Sequence, residues 1–264
     1  MANMMRQLVG SLVGNFGYEL KRKRSGVSLN GPYGLGYDLE QEAYENILKI
    51  HTHTMLSYER LVTLYQQAVF CEQNGIAGSF VECGTWKGGA VGLMALANLN
   101  HGSRRRHIHL FDSFEGIPEP DQAVDGKVAV DEAIKVGGQA DGKLVPLPWL
   151  VGSLETNKEL LEQTVGYDPA YLHYHQGWFQ DTVPRDAAGT GTIAVLRLDG
   201  DWYASTKVCL EHLYDRVTSG GFVIIDDYGF FEGCGKATDE FLKARDIRVF
   251  INHIDRTGRY LIKP

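Results

Sequence analysis

Two apolar runs in this chain each stop at a pair of aspartates. VLRLDGDWYAST, at 195–206, ends on Asp199 and Asp201, and GGFVIIDDYGFF, at 220–231, ends on Asp226 and Asp227. Carboxylates crowded at the ends of buried strands repel one another and rise in pKa unless a cation lies among them. If the two runs are neighbouring parallel strands, their ends are about 5 Å apart. A hard divalent ion with oxygen ligands and bound water, Mg²⁺ above all, meets that need. Asp199, Asp226 and Asp227 are its expected ligands. The competing reading makes the same aspartates helix caps, or partners of Arg197, Lys207 or Arg256.

A second candidate site lies in FVECGTWKGGA, at 80–90, where Glu82 ends a short β-rich run and Gly84, Gly88 and Gly89 precede a helical pattern. Glycines there let a ligand approach the backbone closely and let a helix begin beside it. The spacing is neither GxGxxG nor GxxxxGK[ST], which argues against a dinucleotide or a nucleotide phosphate. It suits a ligand without phosphate, such as S-adenosylmethionine; a purely structural glycine turn is the alternative. Asp112, ending the run RHIHLFD, is placed to accept the hydroxyls of a ribose, or else to cap a helix or anchor a loop. In HQGWFQDTVP, at 175–184, Gly177 permits close approach, and Trp178 or Phe179 lies against a purine face or in the core.

The elements that must hold these residues alternate. GSFVECG, RHIHLFD, YLHYHQG, TIAVLRLDGD and GGFVIIDD read as strands, and helical patterns such as AVGLMALANLNH and TKVCLEHLYDRV fall between them. The tail IRVFINHIDRTGRYLIKP reads as two strands about a turn at 255–258. Near-continuous apolar strands imply a sheet covered on both faces. The expectation is an α/β, doubly wound, Rossmann-like, mostly parallel seven-stranded sheet with ligands at its carboxyl end. Ahead of it, Ser57 is a helix N-cap, with Arg60 where a capping box would want Glu. Residues 1–40 read as an N-terminal helical arm and 41–264 as the main domain. Within that domain, 113–166 is a Pro-, Gly- and Asp-rich insertion of the kind that forms a lid or shapes a substrate site. Only SLETNKELLEQTVG in it reads as helix.

A chain of 264 residues with 44% hydrophobic and 22% charged residues has the composition of an ordinary folded domain. Its net charge of −7 and lack of a basic stripe argue against a nucleic-acid partner. Cys71, Cys83, Cys209 and Cys234 show no metal-ligand spacing and read as reduced thiols of a cytoplasmic protein. No apolar run reaches the roughly 18 residues of a membrane span, and the N-terminus has its charges in the wrong order for a secretory signal. The arm reads as an amphipathic helix that packs on its own domain or on a partner subunit, with a membrane surface as the alternative, and the chain is expected to be a homo-oligomer.

Five stretches in order, FVECGTWKGG, LFDSFEGIPEPD, GWFQDTVP, LRLDGDWYAST and GGFVIIDDY, resemble the motifs of the macrocin O-methyltransferase family over residues 55–264. The resemblance implies a class I, S-adenosylmethionine-dependent enzyme that methylates a sugar hydroxyl of a glycosylated natural product or glycan. It implies Mg²⁺ on Asp199, Asp226 and Asp227, with the cofactor held by Glu82, Gly84, Thr85, Trp86, Asp112, Ser113, Gly177, Trp178 and Asp199. Asp201 matches the second acid of the family's LDxDxY and either faces the substrate, caps the next helix or joins the metal. The related catechol O-methyltransferases carry a lysine base three residues after the first aspartate; here that residue is Trp202. Asp199 is then the expected proton acceptor, with His175, His212 and His253 as other candidates and Tyr203 and Tyr228 as possible pocket walls. A catechol or phenol methyltransferase and a non-catalytic S-adenosylmethionine-binding module are the alternative functions. An NAD-dependent oxidoreductase fails on the glycine spacing.

Overall fold

Every residue of IAVLRL is buried, and so is every residue of SFVEC. These are β4 (Ile193–Leu198) and β1 (Ser79–Cys83), the central strands of a computed structural model that describes residues 39–264. The expected arm, residues 1–40, lies almost wholly outside the described residues. With β2 (Ile108–Asp112), β3 (Leu172–Gln176), β5 (Val217–Ile225), β6 (Asn252–His253) and β7 (Arg259–Ile262) they form one sheet of order β3-β2-β1-β4-β5-β7-β6. The first five strands are parallel, β7 runs antiparallel to β5, and β6 antiparallel to β7. The strands and the closing hairpin are those expected from sequence.

Period-two alternation sends successive residues of each strand to opposite cores. Phe80, Ile108, Val195 and Phe222 face helices α1 (Glu40–Ile50), α2 (Tyr58–Gln73) and α3 (Gly89–His101). Val81, Phe111, Leu196 and Val223 face α6 (Phe179–Asp186), α7 (Tyr203–Leu213) and α8 (Glu232–Ala244). Both faces are apolar because both are covered. The chain leaves β1 toward β2 and returns on the other side as β4, so a crevice opens above the carboxyl ends of β1 and β4. Among the described residues no helix is long and apolar enough to cross a membrane.

Two departures from the sequence reading bear on the site. The insertion contains a helix the composition did not reveal, α4 (Gly126–Lys135), as well as the expected α5 (Leu154–Lys158) with its π-helical continuation Glu159–Thr164. Antiparallel bridges Ile117–Leu147 and Asp121–Asp141 tie its loops together. The stretch after β3 turns at once into α6, carrying Pro184 inside it. Ser57 caps α2 as expected, its Oγ accepting from the Arg60 N–H at 3.2 Å.

Candidate active site

Above the crevice lies a cavity of about 290 Å³ lined by every residue expected to hold cofactor or metal, and by Asp201. Its first wall is the loop after β1. Gly84 has φ +91, and a Cβ there would stand 1.9 Å from the Asp199 carbonyl oxygen. At Gly88 (φ +83) a Cβ would meet Asn157 Oδ1 at 2.6 Å, and at Gly89 the His53 carbonyl oxygen at 2.5 Å. What these glycines admit closely is the protein's own chain: the end of β4, the insertion helix α5 and the segment before α2. Trp86, at φ +47, completes the turn, its carbonyl accepting from Asn157 Nδ2 at 2.7 Å.

Asp112 ends β2 as expected, but its carboxylate is turned to this loop. Oδ2 accepts from Thr85 N at 2.6 Å, Thr85 Oγ1 at 3.2 Å and Trp86 N at 3.1 Å, while Oδ1 accepts from Phe114 N at 2.8 Å. Burial raises its pKa against the pull of these N–H donors. The loop-anchor role is therefore realised in the structure. Ser113 holds the next turn, donating to Gly116 O at 2.6 Å. Gly177, at φ +136, and Trp178 form the wall below β3.

The aspartates meet as their strand positions require. Leu198 pairs with Ile225, so Asp199 and Asp226 leave neighbouring strand ends, and ligand oxygens of Asp199, Asp226 and Asp227 lie within 4.8 Å of one another. Among them sits a guanidinium. Arg197, buried in β4, bonds Glu82 through Nη1 and Asp226 Oδ1 through Nη2, and its Nη1 donates to Asp199 Oδ2 at 2.9 Å. Arg60, from the first turn of α2, bonds Asp226 Oδ2 and Thr257, and its Nε donates to Asp255 Oδ2 at 2.9 Å. The reading that paired the aspartates with Arg197 is realised, and both oxygens of Asp226 are held by guanidiniums. Five carboxylates (Glu82, Asp199, Asp201, Asp226, Asp227) still face two guanidiniums, and Arg60 is shared with Asp255.

That excess shows in the ionisation. Burial pushes Asp201 up to about 7, Glu82 to about 7 and Asp226 to about 6; Arg197 lowers all three. Asp227 is raised well above the usual carboxylate range by burial and by Asp201, Asp226 and Asp199. Asp201 and Asp227 act on each other's ionisation, as neighbouring buried acids do. Asp227 Oδ2 is buried with no hydrogen-bond partner. Hard oxygen donors, excess negative charge and an unpartnered buried oxygen together fit a divalent cation.

Other candidates are placed elsewhere. His175 Nδ1 pairs with Asp186 Oδ2 at 2.9 Å, His212 is exposed on α7, His253 is exposed on β6, and none of the three lines the cavity. Tyr203 and Tyr228 reach away to Glu240 and Asp239, each at 2.7 Å. The walls that sequence reasoning missed are His53–Leu56, Ile117, Pro118, Trp149, Leu150, Phe230 and Phe231, with Arg60 at the base. Arg60 had one visible signal, a cation in the capping-box slot three residues after Ser57.

The chain matches the family model for macrocin-O-methyltransferase (TylF) over residues 41–263. It belongs to the macrocin O-methyltransferase family. The tetracenomycin relative, 8-demethyl-8-(2,3-dimethoxy-alpha-L-rhamnosyl)-tetracenomycin-C 4'-O-methyltransferase of Streptomyces olivaceus, is 37% identical over 206 residues, 78% of this chain and 74% of that protein. Demethyldecarbamoylnovobiocin O-methyltransferase of Streptomyces niveus is 37% identical over 213 residues, 80% of this chain and 75% of that one. The solved structure of the O-methyltransferase NovP superposes with a TM-score of 0.70 at 32% identity, covering 86% of this chain and 90% of that one. The family and these relatives make this chain an S-adenosylmethionine-dependent O-methyltransferase.

Proposed function

We propose that this macrocin O-methyltransferase family member methylates a hydroxyl on a sugar of a glycosylated natural product, and that Mg²⁺ assists it at Asp199, Asp226 and Asp227. The observation that carries the reading is the acidic cluster at the ends of β4 and β5, facing the glycine loop across one cavity. Where bound, S-adenosylmethionine supplies a methyl group already activated on sulfur, and Mg²⁺ supplies charge that acidifies a nearby hydroxyl.

The chain's own residues then hold and orient. Glu82, Gly84, Thr85, Trp86, Ser113, Gly177 and Trp178 form the cofactor side. Asp112 serves it chiefly by fixing the loop at Thr85 and Trp86. Arg197 holds Asp199 Oδ2, and Asp199 is the most exposed of the bridged acids, its side chain 27% accessible, which suits it to take the acceptor's proton. Positioning supplies most of the acceleration, because displacement at a sulfonium needs in-line approach above all.

Two features support a neutral glycoside as acceptor. The cavity wall includes exposed Met55 and Phe230, apolar surface suited to an aglycone. Its guanidiniums, Arg60 and Arg197, are both committed to carboxylates, which leaves neither for an anionic sugar nucleotide. The tetracenomycin relative's name, with its rhamnosyl group, points the same way. A catechol reading lacks its lysine: Trp202 is buried, with its indole N–H donating to Pro118 O at 2.9 Å.

Asp199→Asn tests the proposal. Turnover of a glycoside acceptor should fall by about 10³-fold or more, with S-adenosylmethionine binding by calorimetry nearly unchanged and Mg²⁺ binding weakened. EDTA should abolish wild-type turnover and Mg²⁺ restore it. Near-normal turnover by the variant, or indifference to EDTA, would remove the metal-and-base reading.

A further inference from the structure

The position that holds a lysine in the catechol enzymes is occupied here by the centre of a small core. Trp202 is 1% exposed and shares a hydrophobic cluster with Ala129, Ala133 and Leu147 of the insertion and with Ile225 and Phe231 of the sheet domain. Phe231 meets the indole edge-on at 4.9 Å between centroids, and Trp149 lies at 6.5 Å. The indole N–H donates to the Pro118 carbonyl. One residue along, the Tyr203 N–H donates to Asp125 Oδ1 at 2.6 Å, so a second insertion residue caps the start of α7. Gly233 makes room for that contact, since a Cβ there would stand 2.0 Å from Asp125 Oδ1.

These contacts lie between two parts of the cavity. On the insertion side, Ile117, Pro118, Trp149 and Leu150 form its roof. On the other, Trp202 follows Asp201 directly and packs with Ile225, the residue before Asp226. The indole therefore fixes the distance between roof and acidic floor, with its ring packed on all sides and its one polar atom satisfied.

We propose that Trp202, supported by Asp125, is a positioning residue: it sets the insertion's segments 117–118 and 149–150 over the acceptor and has little influence on the cofactor. The inference rests on the proposed function in placing the acceptor in this cavity beside Asp199. A ten-fold loss at such a site corresponds to about 1.4 kcal/mol, within the range for a buried carbonyl left without its donor.

The test compares wild type, Trp202→Phe and Asp125→Ala, with demethyldecarbamoylnovobiocin as the acceptor probe. Trp202→Phe keeps an aromatic ring and removes the N–H; Asp125→Ala removes the cap from the insertion's side. Acceptor KM should rise about ten-fold in each variant, with kcat lowered less and S-adenosylmethionine Kd within about two-fold of wild type. Trypsin cleavage after Lys143, whose side chain is 68% accessible on the insertion, should quicken several-fold in both variants. In wild type, saturating acceptor should slow that cleavage. Unchanged acceptor KM despite faster cleavage would make the contact merely structural and overturn the proposal. Cofactor Kd weakening in step with KM would also overturn it. If neither variant folds, failure of the acceptor to protect Lys143 in wild type overturns it too. Absence of any turnover or binding of glycosides by wild type would instead defeat the proposed function, and the cleavage rates without acceptor would still decide the docking.

Discussion

Arg197 touches three carboxylates and Arg60 a fourth contact of the same cluster, yet the negative charge still exceeds what they neutralise. Asp201 bears the consequence. It is 8% exposed, with φ +56, and burial sends its carboxyl up to about 7. Because this folded value lies above the unfolded one, the folded state retains a proton that the unfolded state has lost between about pH 4 and 7. Stability from this group is present at low pH and declines as pH rises through that window. Asp201→Asn removes the titration. Without divalent ions, its melting temperature should exceed that of wild type at pH 8, and the gap should narrow to about a third at pH 5. A gap equal at both pH values would mean the strain at Asp201 is not electrostatic. The crowding itself was legible, since four aspartates at two strand ends are local in sequence. The partner of Arg60 was not, because it meets Asp226 across 166 residues and only the packing of α2 against the sheet brings them together.

At the scale of elements, β1, β2, β4 and β5 were readable because each is a short, mostly apolar run closed by glycine or acid, and the hairpin because of its turn residues. Helix α4 was hidden: ten residues between glycines, stabilised mainly by laying Ala129 and Ala133 on the Trp202 cluster, a tertiary contact that propensity does not report. The glycine loop was located correctly and explained incompletely. A glycine in a sequence announces backbone freedom, and what comes close to it depends on partners from elsewhere. At Gly84 the neighbour is the Asp199 carbonyl, so Gly84→Ala should push the end of β4 aside and displace the proposed base. The expected cost is about 2–5 kcal/mol in urea unfolding, from overpacking and backbone strain together, with activity lost in the fraction that folds. Gly75→Ala is the control: its φ is +65, but nothing lies within 4 Å of the added carbon. It should cost only about 1–2 kcal/mol. Equal costs at the two sites would show that close packing at the β1–β4 crossing is not what requires Gly84.

Across the whole molecule, the acidic cluster at the carboxyl end of the sheet is opposed by a histidine ladder at its β2–β3 edge. His107 Nδ1 meets His173 Nε2 at 2.8 Å, and His109 Nδ1 meets His175 Nε2 at 3.0 Å. His175 continues to Asp186, which Arg185 also holds. The His109 and His173 rings stack at 4.4 Å. Burial, then the neighbouring imidazoles, lowers His109 to about 3. The folded value is below the unfolded one, so this contribution is complete above about pH 6.5 and is lost as pH falls, the reverse of Asp201. The two ends of the sheet thus impose opposite slopes, and the metal-free protein should be most stable between them. At pH 5 the unfolded state protonates His109 while the folded state does not, a difference of about 2 kcal/mol. His109→Gln should therefore gain about 4–8 °C in melting temperature, relative to wild type, on going from pH 8 to pH 5. A flat difference between the two proteins over that range would show that the acid limb of stability arises elsewhere, and would leave the ladder as ordinary packing of an edge strand.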